Sequence, residues 1–210
     1  MPQLILASES PRRRELLGSL GVDFICTAAN VNEADSGDDP ASVPQENALL
    51  KAFAVAAKHP GATVLGADTA ILFENRLLGK PSDIADAGFM LRKLSGKEHL
   101  VITGMALVSG SEKRVWSEVS RVRFRELTPE IIRQYLQKVN VLDKAGSYAV
   151  QEYGDMLITS VGGDINNIIG LPLGNLALHL ADLGFSPRLP QPTSPAPAAE
   201  QNRSESCRRS

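Results

Sequence analysis

A chain of 210 residues with 43% hydrophobic content is long enough to bury a sizeable core, as one domain or a compact two-lobed unit. Its 22 basic and 24 acidic residues leave a formal net charge of −2, which excludes a global field for a nucleic-acid polymer or a membrane, so any anion recognition has to be local. No apolar run approaches a membrane span, the N-terminus lacks the regions of a signal peptide, and Cys26 and Cys207 lie far apart; a soluble cytoplasmic protein is expected.

The apolar run at residues 4–7 has strand length, and Ser10-Pro11 after it is a helix entry. Serine caps free backbone N–H groups, and proline fits the first turn, where its missing N–H costs nothing. The helix is expected to end near Gly21. Arg12, Arg13 and Arg14 stand in its first turn, where cations oppose the helix dipole unless an anion compensates. Free amides and two guanidinium forks there suit a phosphate; the ordinary alternative is a solvated basic turn paired with Glu9 and Glu15.

The loop at residues 32–39 is acidic and mostly solvated, but Glu33 within it can lend one oxygen to a magnesium ion. Ser42 and Gln45 form a capping-box pair before a helix at residues 47–58 that His59-Pro60 closes. Its apolar stripe is Leu49, Ala52, Phe53 and Ala56; Lys51 projects away from it and reads as exposed.

Residues 63–73 read as a buried strand, turned by Glu74-Asn75 into residues 76–78. Asp68 lies inside that strand, where an unpaired carboxylate is expensive, so it needs a partner: a metal ion, a lysine or a water to be activated. A carboxylate hydrogen-bonding amides at a strand end is the ordinary alternative. Gly66 allows close backbone approach. Lys80, held between Gly79 and Pro81, sits in a restricted loop suited to phosphate contact, and Ser82 is the expected cap of a helix running to Leu94 and stopped by Gly96.

Residues 100–108 and 115–124 pair as strands around Ser109-Gly110-Ser111, and Thr128-Pro129 starts a helix through Val139. Residues 143–151 combine a turn with a polar residue emerging from an apolar strand: Gln151 offers both a donor and an acceptor, as base recognition requires, although such a residue alone is more often a satisfied edge position. Residues 148–150 and 156–161 add core, Gly162-Gly163-Asp164 a turn, and residues 172–183 a last helix ended by Gly184. The histidines lack metal-ligand spacing and neither cysteine has a nearby histidine. Residues 186–210, rich in Pro and Ser, are expected to be a disordered tail behind a folded unit of residues 1–185, in which helices alternate with strands as in α/β architecture.

Taken together, Ser8-Glu9-Ser10-Pro11-Arg12-Arg13, Glu33, Lys51, Gly66-Ala67-Asp68-Thr69, Gly79-Lys80-Pro81, Asp143-Lys144-Ala145-Gly146 and Ile169-Gly170-Leu171-Pro172-Leu173 resemble the Maf family of nucleoside triphosphate pyrophosphatases, over almost all of residues 3–185. The resemblance implies a mixed twisted sheet with flanking helices and two lobes around a cleft, similar to inosine triphosphate pyrophosphatases. It also implies hydrolysis of a nucleoside triphosphate to monophosphate and pyrophosphate, a divalent metal cation (magnesium or manganese), and a homodimer. Asp68 is then the catalytic residue, Glu33 and Asp68 hold the metal, and Ser8, Arg12, Arg13, Lys51, Thr69, Lys80 and Gln151 contact substrate. The branch acting on dTTP and UTP has residues resembling Arg12, Thr69 and Gln151, which favours thymine and uracil nucleotides, modified pyrimidines among them. Glu152, where relatives commonly place glycine, and Asn166-Asn167 depart from the pattern. A different class of function, a nucleotide-binding regulator of cell division acting through a protein partner, is the alternative.

Overall fold

The N-terminal apolar run forms β1 (Leu4–Leu6), a strand buried along its whole length between β2 (Phe24–Cys26) and β3 (Thr63–Phe73), both parallel to it. Burial on both faces is why it reads as a continuous apolar stretch rather than an alternating one. The structure, a computed structural model, describes residues 3–188. The remaining strands are antiparallel: β3 pairs with β4 (Arg76–Leu78) and β5 (Glu98–Ser109), then β6 (Glu112–Phe124) and β7 (Ile158–Gly162) complete a seven-stranded mixed sheet in the order β2-β1-β3-β5-β6-β7, with β4 on β3. Glu74 and Asn75 both take left-handed backbone angles, the geometry of a two-residue hairpin turn.

Helix α1 (Pro11–Ser19) starts as expected, the Ser10 hydroxyl accepting from the Arg13 amide at 3.4 Å, and gives way at Gly21 with φ +66°. Helix α2 (Val43–Ala56) begins four residues before the expected start and differs from expectation in two further ways. Ser42 itself has helical angles, so its hydroxyl makes no cap and bonds Glu46 Oε1 at 2.8 Å, while Gln45 reaches across to Ser117 Oγ at 2.9 Å. The buried face is Val43, Asn47, Ala48, Lys51, Ala52 and Val55, whereas Phe53 is 46% exposed.

The reason lies in the sheet beneath. A Cβ on Gly66 would stand 2.0 Å from the Ala48 carbonyl oxygen, and one on Gly104 2.3 Å from the Gln45 nitrogen. Helix α2 therefore rests its backbone on two glycines of β3 and β5, a separation that admits alanines beneath it and turns Leu50 and Phe53 outward.

Further on, α3 (Ile84–Leu94) is capped by Asp83 rather than Ser82: Asp83 Oδ1 accepts from the Asp86 amide at 2.8 Å and Asp86 Oδ2 from the Ser82 amide at 2.9 Å, a reciprocal pair. Helix α4 (Pro129–Lys138) has the expected Thr128 cap. Residues 148–150 are not a strand but lie in a turn region between two short 3-10 segments, Ala145–Ser147 and Gly154–Met156. A short α5 (Ile165–Ile169) precedes α6 (Gly174–Asp182), which begins two residues later than the pattern predicts. The expected tail falls mostly outside the described residues, as does Cys207; the backbone remains engaged as far as Arg188, whose amide donates to Leu20 O at 2.7 Å.

Two apolar clusters lie one beyond the other on one face of the sheet, and a third, of Ile5, Ala48, Ala52, Val64 and Ala106, packs α2 on the opposite face. Of the first two, one gathers Leu4, Leu17, Leu65, Met105 and Leu176 under α1 and α6, the other Phe73, Leu91, Val101, Phe124 and Tyr135 under α3 and α4. Strands β3 and β5 run from one cluster into the other, and Asp68, Thr69 and Thr103 fall in the interval between.

His99 belongs to the second cluster, 2% exposed, edge-on to Phe124 and Tyr148 and 2.7 Å from the Tyr148 hydroxyl. Burial pulls its imidazole down from 6.5 to about 4. Between those values the unfolded chain binds the proton and the folded one does not, so the contribution is complete above the unfolded pKa and is lost as pH falls toward the folded one. Urea titrations at pH 7 and pH 4 should show a loss of up to about 3 kcal/mol from this group, and His99→Gln should show a correspondingly shallower dependence.

Candidate active site

A cavity of about 820 Å³ opens in the interval between the clusters and is lined by Ser8, Arg12, Arg13, Glu33, Lys51, Asp68, Thr69, Lys80 and Gln151, so all nine residues singled out in the sequence share one cleft. Asp68 projects from β3 with its side chain 13% exposed. Its Oδ1 accepts from Lys51 Nζ at 2.9 Å and its Oδ2 from Asn47 Nδ2 at 3.0 Å. Burial pushes the Asp68 carboxyl up, but the charge and hydrogen bond of Lys51, then the charge of Arg13 and the Asn47 amide, outweigh it and hold the group below its ordinary value. The carboxylate is therefore ionised at neutral pH and paired, as its position in an apolar strand requires.

The partner is Lys51, which is buried, 7% exposed, and not the outward lysine that its distance from Leu49 and Phe53 suggests. With α2 resting on its alanine face, positions 47 and 51, one helical turn apart, both face the cleft. Lys51 Nζ also donates to Glu33 Oε2 at 2.6 Å. Glu33 is presented by its loop because Asn47 fastens it twice: the Asn47 amide donates to Ala34 O at 2.9 Å and the Ala34 amide donates to Asn47 Oδ1 at 2.8 Å. Asn47 escaped the sequence reading; its one signal was a second polar side chain four residues before Lys51.

Across the cleft, Arg13 Nε donates to Gly170 O at 2.9 Å and Nη2 to Thr69 Oγ1 at 3.1 Å. Gly170, at φ +121°, has no side chain to obstruct this: a Cβ there would meet Thr69 Oγ1 at 3.2 Å and Arg13 Nε at 3.5 Å. Burial lowers the Arg13 pKa, against the opposing pull of Asp68 and Glu33, but the guanidinium stays charged. Two of its five N–H groups are used, leaving three without a partner among the described residues on a side chain that lines the cavity. Ser8 Oγ accepts from the Ser10 amide at 3.2 Å, and Lys80 is exposed on a loop tied down by the Gly146 amide donating to Gly79 O at 3.0 Å.

Gln151 stands exposed in a turn, not at a strand end. Its segment is held by Lys144, a lining residue that the reading passed over as part of a turn. The Lys144 ammonium donates to Asn140 O at 2.5 Å and pairs with Asp143 at 2.9 Å and Glu152 at 3.3 Å, closing the two ends of the loop on each other. Glu152, the departure noted above, thus has a partner that a glycine would not supply.

Two carboxylates, Glu33 and Asp68, converge on one cationic position, now taken by the Lys51 ammonium. Among the described residues no group of three or more His, Cys, Asp or Glu forms a closed metal site. Hard oxygen donors in this number match a magnesium-like ion, which commonly takes one or two carboxylates and completes its shell with phosphates and water. The cleft can therefore receive a polyanion from the cationic side and a divalent ion and a water from the carboxylate side.

Comparison with known proteins finds relatives over most of the chain. The sequence model of the Maf family, described as Maf-like protein, matches residues 3–183. A dTTP/UTP pyrophosphatase of Akkermansia muciniphila is 47% identical over 189 residues, 88% of this chain and 98% of that protein. One of Symbiobacterium thermophilum is 46% identical over 186 residues, 88% of this chain and 96% of that protein. Among solved structures, the Staphylococcus aureus Ham1 protein aligns over 87% of this chain and 99% of its own at 15% identity, with a TM-score of 0.49.

Proposed function

The chain belongs to the Maf-like protein family, and on that premise we propose that it hydrolyses dTTP and UTP to the nucleoside monophosphate and pyrophosphate. The observation that carries the reading is the ionised Asp68, fixed between Lys51 and Asn47 and facing an arginine-bearing helix start across a cavity large enough for a nucleotide. The names of the relatives supply the substrate class.

Arg13, Lys51 and Lys80 neutralise the triphosphate, and Ser8 with the Arg12 amide at the start of α1 fixes its position. Each oxygen of Asp68 already accepts one hydrogen bond and keeps a lone pair for a water. A carboxyl held below its ordinary value is a weak base but a firm acceptor, so Asp68 chiefly orients the water and takes its proton late. The water oxygen bonds to the α-phosphorus, the bond from that phosphorus to the α–β bridging oxygen breaks, and pyrophosphate leaves. Glu33 and Asp68 would hold the divalent ion, which when bound supplies charge neutralisation at the phosphates. Catalysis is then mainly positioning and electrostatics. The same reading carries with it a cytoplasmic location.

Base choice falls to Gln151 and the polar groups near it, since a site built around one polar edge leaves its own groups unpaired when the wrong base enters. Gln151→Glu, which loses the amide donor, should narrow the ratio of kcat/KM between UTP and dCTP by about tenfold; unchanged ratios across dTTP, UTP, dCTP and GTP would remove Gln151 from that role.

The reading itself is tested by a nucleoside triphosphate panel with product chromatography. Magnesium- or manganese-dependent release of UMP and pyrophosphate in equal amounts is expected. Nucleotide affinity without such products would replace the enzyme by a nucleotide-binding regulator, and release of single orthophosphates would make it a different triphosphatase.

A further inference from the structure

Behind Arg13 runs a chain of hydrogen bonds whose direction is fixed by the proton count. Thr103 Oγ1 donates to the backbone carbonyl of Asn167 at 2.8 Å, and a carbonyl can only accept. A hydroxyl has one proton, so in the 2.9 Å contact between Thr69 Oγ1 and Thr103 Oγ1 the donor has to be Thr69. The Thr69 oxygen is then left to accept, which it does from Arg13 Nη2 at 3.1 Å. The far end is held as firmly: Asn167 is fully buried, and its amide donates to Val101 O and to Ser120 Oγ, both at 2.9 Å. Ser120 in turn donates to Asp164 O at 2.8 Å.

We infer that Thr103 is a positioning residue of the site: by taking the Thr69 hydroxyl proton it holds the Thr69 oxygen as an acceptor for Arg13, and so fixes the plane in which the guanidinium meets a polyphosphate. Thr103 is fully buried and does not line the cavity, so it acts only through Thr69 and Arg13. The arrangement also explains why a threonine follows Asp68 on β3. Its hydroxyl is spent on the arginine and on β5, leaving acceptor capacity but no proton for a ligand. Without Thr103 the Thr69 side chain is free to rotate about χ1, and Arg13 keeps only its bond to Gly170.

The kinetic half of the test rests on the function proposed above; the spectroscopic half does not. In nitrogen-15-labelled full-length protein the Arg13 Nε–H signal, assigned by its loss in Arg13→Lys, should exchange slowly because it is bonded to Gly170 O. Thr103→Val should speed that exchange and lower kcat/KM for UTP, each by about tenfold, the worth of one buried hydrogen bond, while Thr103→Ser should stay within about twofold of the parent. In the Arg13→Lys background, Thr103→Val should add less than about twofold, because residues acting as a unit are not additive. Should the valine variant fail to fold, Thr103→Cys, whose sulfur is a weak acceptor, is read in the same way. Unchanged Arg13 exchange in folded Thr103→Val or Thr103→Cys overturns the inference, as does an equal kinetic penalty in both backgrounds. Absence of UTP turnover in the parent protein would instead sink the proposed function and leave the Arg13 signal to decide this one.

Discussion

Asp68→Asn is expected to lower the rate of pyrophosphate release by about 10²- to 10⁴-fold, the usual cost of a positioned acid or base, while the protein stays folded. Loss of the charge removes the only anionic group on β3 that faces the cleft among the described residues, and an asparagine amide cannot accept from Lys51, Asn47 and a water together. Stability should fall little, because Lys51 keeps Glu33 at 2.6 Å and is not left as an unpaired buried cation. Steady-state assays on UTP, with circular dichroism and a melting curve on the same preparation, separate the two effects. Near-normal turnover would remove Asp68 from the mechanism, and a collapsed melting transition would show that its role is structural.

The chemistry on β3 and α1 was legible because each residue there broke a local rule. An acid in an apolar strand and arginines at the positive end of a helix are both unfavourable without a partner, and the partners exist: Lys51 and Asn47 for Asp68, Gly170 O and Thr69 for Arg13. Lys51 was misread for the converse reason. Hydrophobic periodicity takes the larger apolar side chains as the buried face, and on α2 a glycine-floored contact reverses that preference. Thr103 carried no signal, and Asn167 stood out only as part of a departure from the family pattern, since their meaning depends on contacts between β3, β5 and α5 that are 34 and 64 residues apart in the chain. Residues 148–150 read as strand because their apolar side chains run together. The left-handed residues on either side, Gly146, Ser147 and Tyr153, bend the chain into turns that a one-dimensional pattern does not register.

Gly66→Ala is the mutation expected to damage the fold most for its size. The added Cβ would lie 2.0 Å from the Ala48 carbonyl oxygen and 3.0 Å from the Ala52 nitrogen, and both are helix backbone with no rotamer to yield. Helix α2 has to lift from the sheet, at a cost of about 3 kcal/mol or more, the upper part of the range for overpacked cores. Gly174→Ala is the matched control: a Cβ there meets nothing within 4 Å and the residue opens α6, so stability should change by no more than about 0.5 kcal/mol. Urea titration of both variants reads the difference. The loss should extend to catalysis, because Ala48 lies between Asn47 and Lys51 on the helix that must move, and lifting it draws both away from Asp68. Molecules of Gly66→Ala that remain folded, selected at low temperature, should therefore still be slow on UTP. If they were fully active, the close seat of α2 on β3 would not be what delivers Lys51 to the carboxylate.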